Sequence, residues 1–144
     1  MNSRPSPEGN HVDLDLRVRY AETDRMGVVY YANYLTWFEV GRAEYCRSNG
    51  FDYVDLEKLG YQLVVGEAHC KYRQPARYDE IVTVRTWLQD VRRRSVIFRY
   101  VVFRKDTGEV LVGGETKHLC IDAQGRSRTI PEPYYTYLYR SLAG

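Results

Sequence analysis

The segment Glu22-Thr23-Asp24-Arg25-Met26-Gly27 sets two carboxylates and a glycine just ahead of a run of residues with helical period. In that run Tyr31, Tyr34, Leu35, Phe38, Arg42 and Tyr45 fall on one face, which predicts a helix from Tyr31 to Asn49. The N-terminus of a helix offers backbone N–H groups with no partner inside the helix and the positive end of its dipole, a setting that suits a developing oxyanion. Asp24, seven residues upstream of Tyr31, could then face the same reacting carbon. On spacing alone the plainer reading is the stronger one: an Asp in a loop before a helix usually binds nearby backbone and shapes a turn. Glu22, read as the last residue of the preceding strand, is expected to be solvated or paired with Arg19 or Arg25.

Three adjacent arginines, Arg92, Arg93 and Arg94, form the densest local positive charge, and their planar forks suit phosphate groups. The competing reading is a solvated hairpin end. Asn33 and Tyr34 lie in the first predicted turn of the helix, where Asn33 is positioned to touch a ligand or, more simply, to hydrogen-bond locally. Glu39 and Arg42, three apart, are expected to pair on the helix surface, and Trp37, Phe38 and Tyr45 to pack. His11, His69 and His118 are scattered, and Cys46, Cys70 and Cys120 are odd in number and widely spaced. That pattern supports neither a metal site nor a cysteine nucleophile, and it fits structural thiols in a reducing cytosol.

The elements around these residues are legible in the pattern. Val12 to Ala21 opens with strict alternation, Val12, Leu14, Leu16 and Val18 against Asp13, Asp15, Arg17 and Arg19, as in a strand with one buried face. Gly41 on the long helix suggests close approach of another backbone, and Gly50 is expected to stop that helix. A short helix from Asp52 to Leu59 and four strands follow: Tyr61 to Arg73, Glu80 to Gln89, Arg94 to Lys105 and Glu109 to Asp122. Asp106-Thr107-Gly108 has the composition of a hairpin turn, and a Tyr-rich helix is expected after Pro131. Short connections arrange this order as an α+β fold, a long antiparallel sheet wrapped around one central helix.

Composition sets limits on function. With 144 residues, 44% of them apolar and 28% charged, the chain is expected to be one globular domain, residues 11–144, behind a flexible tail, residues 1–10. A net charge of +2 argues against a broad nucleic-acid or membrane-binding face, and no run approaches the ~18 apolar residues of a membrane span. The first ten residues lack an apolar core of the kind a secretion signal carries, so the expected location is the cytoplasm.

The run RVRYAETDRMGVVYYANYLTWFEVGRAEYCRSNGF resembles the signature of the 4-hydroxybenzoyl-CoA thioesterase family and of the Tol-Pal-associated acyl-CoA thioesterases, both of the hotdog fold. QPARYDE, VRRRSVIFRY and TKHLCID extend the similarity with less specificity, over roughly residues 15 to 130. The resemblance implies hydrolysis of an acyl-CoA with no metal or other cofactor. It implies that Asp24 acts on the thioester carbonyl, as nucleophile or as general base, and that the Tyr31 backbone N–H polarises that carbonyl. Gly27 would permit the tight path between loop and helix tip. Arg92 and Arg94, with Arg93 beside them, would meet the nucleotide end of CoA. The Tol-Pal-associated enzymes usually carry His where this chain has Tyr31, which leaves the acyl preference open. The resemblance also implies a homo-oligomer joined edge to edge, often a tetramer, with sites between subunits. The alternatives are action on acyl carrier protein thioesters and a noncatalytic acyl-CoA-binding module.

Overall fold

The computed structural model describes residues 10–143. The expected tail therefore lies outside the described residues except for Asn10, whose side chain donates to Asn49 Oδ1 at 2.7 Å. The elements are β1 (Val12–Arg17), α1 (Asn33–Ser48), α2 (Tyr53–Lys58), β2 (Tyr61–Tyr72), β3 (Ile81–Val91), β4 (Ser95–Arg104), β5 (Val110–Asp122) and α3 (Tyr134–Ala143). The strands form one antiparallel sheet in the order β1-β3-β4-β5-β2, so β2 and β1 are its edges.

Burial alternates with a period of two along β1 and the first part of β4. In β4, Val96, Phe98, Tyr100 and Val102 are buried under α1, and Phe38 of α1 stacks on Tyr100 with ring centroids 4.2 Å apart. The helix lies so low on the sheet that two glycines are required by contact. A Cβ on Gly41 would sit 2.5 Å from Thr86 Oγ1, and one on Gly114 would sit 2.3 Å from the Phe38 ring. The expected close approach at Gly41 is therefore to β3 side chains rather than to backbone. α3 closes the far end of this core. Its Ser141 hydroxyl accepts from Tyr45 Oη at 2.7 Å, and Phe51 packs against the rings of Tyr134 and Tyr137.

Under the middle of α1 runs a buried polar chain. His118 Nδ1 lies 3.2 Å from the Leu63 carbonyl, which can only accept, so Nδ1 carries the proton. Nε2 then accepts from Thr116 Oγ1 at 2.8 Å, and that hydroxyl accepts from Tyr100 Oη at 2.6 Å. Arg42 Nη1 points to Tyr100 Oη at 3.5 Å and makes no ion pair with Glu39 among the described residues, contrary to the expected pair. Reaching down to the buried phenol takes Arg42 off the helix surface. Burial, followed by the nearby Arg42 charge, lowers the His118 pKa to about 4.

Several boundaries differ from the sequence reading. The strand expected to run to Ala21 ends at Arg17, because Tyr20–Glu22 curl into a 3-10 turn. The helix expected from Tyr31 begins at Asn33, because Tyr31 and Ala32 belong to a turn closed by Asn33 N–H donating to the Tyr30 carbonyl at 2.9 Å. The other elements match the expected order, with ends displaced by one or two residues.

Candidate active site

The loop between the 3-10 turn and α1 is a small hairpin. Thr23 pairs with Val29, Asp24 N–H donates to the Val28 carbonyl at 2.8 Å, and Gly27 N–H donates to the Asp24 carbonyl at 3.0 Å. Gly27 has φ 79, and a Cβ there would meet nothing within 4 Å. The left-handed backbone, and not the close approach expected from sequence, is what calls for glycine. Asp24 Oδ1 accepts from Met26 N–H at 2.8 Å, so the turn-shaping role is present. Its Oδ2 has no partner among the described residues.

A second set of contacts fixes this hairpin beside the helix tip. Val29 N–H donates to the Ala76 carbonyl at 2.9 Å, Ala76 N–H donates to Tyr34 Oη at 3.0 Å, and Arg104 Nη2 donates to the Pro75 carbonyl at 2.9 Å. Between hairpin, helix tip and the end of β2 lies a cleft of about 320 Å³ lined by Asp24, Val28, Tyr31, Tyr34, Tyr72 and Pro75, among others. Tyr34 and Tyr72 meet edge to face with centroids 5.7 Å apart, and Tyr72 Oη donates to the Tyr31 carbonyl at 3.2 Å, which makes an aromatic wall. The Tyr31 N–H has no acceptor among the described residues. Asp24 and Tyr31 thus line one cleft, and Asp24 Oδ2 and the Tyr31 N–H have no partner among the described residues.

Glu22 makes the expected pair with Arg19 but is neither at a strand end nor solvated. It lies in the 3-10 turn and is buried, with its carboxylate accepting from Trp37 Nε1 at 2.8 Å, Arg19 N–H at 2.8 Å and Arg19 Nη2 at 3.3 Å. Burial pushes its pKa up, but the Trp37 indole and the Arg19 donors outweigh burial and hold it below the usual carboxylate range. The pairing with Arg19 was expected; the indole partner fifteen residues along was not legible, because no local period links a turn to the second turn of a helix. Asn33 takes the local role, its Nδ2 donating to the Glu22 carbonyl at 2.8 Å.

The arginines stand apart from the cleft. Arg92 pairs with Asp90 at 3.0 Å, Arg93 lies over the Tyr135 ring at 5.2 Å, and Arg94 Nη1 donates to Ser127 Oγ at 3.3 Å. They occupy the β3–β4 hairpin, whereas Pro75 and Ala76 sit beside the start of β3. At ~3.3 Å per residue, the ten steps from Ile81 to Val91 separate the two by roughly 33 Å along the sheet. One chain does not bring Arg92 to Arg94 to its own Asp24. A larger hollow of about 540 Å³ near Arg17 and Arg104 is lined by charges already paired, Arg17 with Asp79 and Arg104 with Glu80, and has no helix tip.

Residues 18–135 match the family described as the thioesterase-like superfamily. The chain belongs to this superfamily. Acyl-CoA thioesterase YbgC of Haemophilus influenzae is 30% identical over 125 residues, covering 86% of this chain and 90% of that one. Protein TT1821 of Thermus thermophilus superposes with a TM-score of 0.85 at 38% identity, over 90% of this chain and 98% of that chain. A DHNA-CoA thioesterase of Staphylococcus aureus gives 0.83 at 33% identity, over 92% and 89%. The expected resemblance and the hotdog fold are borne out, with the superfamily's sheet wrapped around α1.

Proposed function

We propose that this superfamily member is an acyl-CoA thioesterase, hydrolysing the thioester to a free acid and CoA at the cleft between the Asp24 hairpin and the tip of α1. The observation that supports the reading is that Asp24 and Tyr31 line one cleft, with Asp24 Oδ2 and the Tyr31 N–H free of partners among the described residues. The carbonyl oxygen accepts from the Tyr31 N–H, so negative charge developing on attack is met by a fixed donor; removing one such donor typically costs on the order of 2.7–4 kcal/mol. Asp24 either attacks the carbonyl carbon, giving a mixed anhydride that water opens, or takes a proton from the attacking water. In both routes the C–S bond breaks and CoA leaves as thiolate. The Tyr34 ring, whose hydroxyl accepts from Ala76 N–H, is the wall this reading assigns to the acyl group.

The reading extends to a cytoplasmic homo-oligomer, a dimer or a tetramer, because β2 is a twelve-residue edge strand whose outer side has no strand partner among the described residues. If β2 pairs with β2 of a second copy in antiparallel fashion, the Tyr61 end of one lies beside the Tyr72 end of the other. Tyr61 faces Asp122 on β5, and Leu119 of β5 faces Ser95, next to Arg94. The arginine hairpin of the second copy then comes to the cleft's side of the sheet, about 14 Å over at three strand spacings. Arg92 to Arg94 would thus hold CoA phosphates for the other copy's Asp24.

Following free thiol release with a panel of acyl-CoA substrates tests the reading. Asp24→Asn is expected to lower kcat by roughly 10²–10⁴-fold. Equal rates for the two proteins would remove Asp24 from the mechanism, and tight CoA binding without turnover would favour the binding-module alternative. Failure of free CoA to compete would favour acyl carrier protein thioesters.

A further inference from the structure

Beside the ties through Ala76 and Tyr34, a second group of contacts between the Asp24 hairpin and α1 converges on Glu22. Its carboxylate takes the Trp37 indole N–H at 2.8 Å, four residues into α1. Its carbonyl takes Tyr30 N–H at 2.9 Å and Asn33 Nδ2 at 2.8 Å, on the two sides of Tyr31. Residues 22 and 30 are therefore the closed base of the hairpin whose far end bears Asp24, through the Thr23–Val29 and Asp24–Val28 pairs. The Glu22 contacts tie the base of the hairpin to α1, beside the tie that runs from Val29 through Ala76 to Tyr34.

We propose that Glu22 is a positioning residue, clamping the Asp24 hairpin to the first turns of α1 so that the carboxylate and the Tyr31 N–H hold one reacting carbon between them. The inference rests on the thioesterase reading of this cleft. Two features separate the clamp from ordinary packing. Glu22 uses both its side chain and its main chain, so both the loop entering the hairpin and the chain leaving it are tied to one residue. Its side-chain partners, Trp37 and Arg19, lie on opposite sides of it in sequence, so losing the carboxylate removes the tie to the second turn of α1 while leaving the main-chain tie to Asn33 and the hairpin's own pairs intact. A misplacement of about 1 Å can cost on the order of a hundredfold in rate, whereas binding through the remote parts of a substrate is little changed.

The test is a double-mutant cycle on the full chain. Glu22→Ala and Trp37→Phe are each expected to lower kcat by about ten- to a hundredfold with KM within about twofold, the second removing only the indole donor while keeping an aromatic ring. The double variant should be no slower than the slower single variant, since both break one contact. Glu22→Gln, whose amide oxygen can still accept from the indole, should recover most of the rate. Alongside, exchange of the Tyr30 amide and the Trp37 indole proton is read by NMR, and both should exchange faster in Glu22→Ala. Single-variant kcat values within twofold of native, or losses that multiply in the double variant, overturn the proposal. Should the native protein hydrolyse no acyl-CoA, the thioesterase reading fails on its own, and the exchange measurement still decides whether Glu22 clamps the hairpin: unchanged exchange would refute it. Where Glu22→Ala does not fold, Trp37→Phe and Glu22→Gln carry the same comparison.

Discussion

Lowering the pH from 8 to 5 should destabilise this protein mainly through one buried imidazole. His118 is fully buried, donates through Nδ1 to the Leu63 carbonyl and accepts through Nε2 from Thr116, so no site in its surroundings welcomes a second ring proton. Its pKa falls from 6.5 to about 4 on folding. Between those values the unfolded chain binds a proton that the folded chain refuses, so stability is present in full above pH ~6.5 and is lost as pH falls. At pH 5 the unfolded state gains RT ln(1 + 10^1.5), about 2 kcal/mol, and the folded state gains almost nothing, which lowers the folding equilibrium by roughly thirtyfold. By pH 4 and below the loss approaches ~3 kcal/mol. Urea unfolding at pH 8 and pH 5, at one fixed protein concentration because assembly shifts apparent stability, measures it. His118→Gln, which cannot titrate, supplies the reference, since the carboxylates Glu22 and Glu80, held below their usual range by Trp37 and Arg104 against burial, lose their contribution equally in both proteins. Native protein should lose about 2 kcal/mol more than His118→Gln between the two pH values. The same loss in both proteins would show that His118 accepts a proton in the folded state and that the direction drawn for its buried chain is wrong.

Three further outcomes follow from the geometry. If the arginine hairpin serves the cleft of a second copy, mixing equal amounts of Asp24→Asn protein and Arg92→Ala/Arg94→Ala protein and allowing subunit exchange should restore thiol release to about a quarter of the native rate, because about half of the pairs are mixed and each mixed pair contains one complete site of two; no gain on mixing would place the arginines in the same chain's site or outside the reaction. Gly114→Ala should destabilise by about 1–3 kcal/mol or more, since the new methyl would meet Phe38, while the neighbouring Gly113→Ala, with nothing within 4 Å, should melt close to native; matched thermal melts decide. Asp24→Asn should melt within a few degrees of native while losing activity, as its Oδ1 turn contact survives as an amide oxygen.

The hairpin-to-helix region was legible in outline and not in its fastenings. Alternation from Val12 and the helical face from Tyr34 to Tyr45 express a buried side that the fold then uses, which is why the sheet and α1 follow the pattern. Periodicity fails at the joints, since a turn such as Tyr20–Glu22 is held by backbone carbonyls that no side-chain pattern records. Buried polar partnerships are invisible for a related reason. Glu22 to Trp37, Arg42 to Tyr100 and His118 to Leu63 each join residues from separate elements, and the usual rule that charged residues face water points the other way. The arginines show the converse failure. Their chemistry was plain, but only the sheet shows that they stand at the opposite end from Asp24.

In a single copy of this chain the groups assigned to the reaction by the proposed mechanism stand in an unfinished environment. Tyr31 is 60% exposed, Tyr72 47% and Met26 79%, so the apolar mouth of the cleft is open beside the free edge of β2. A lone N–H donor stabilises an oxyanion strongly only where water is kept away, because the interaction weakens as the local dielectric rises. On the proposed mechanism, one donor and one carboxylate at an open edge would therefore make a poor catalyst. Pairing β2 with a second copy would cover that mouth and bring the arginine hairpin to it in the same step. On this reasoning kcat, and not only CoA affinity, depends on assembly, and specific activity should fall on dilution below the concentration at which the oligomer dissociates. An activity per subunit that stays constant while sedimentation shows the oligomer coming apart would mean that the cleft excludes water by itself and that β2 plays no part in the reaction.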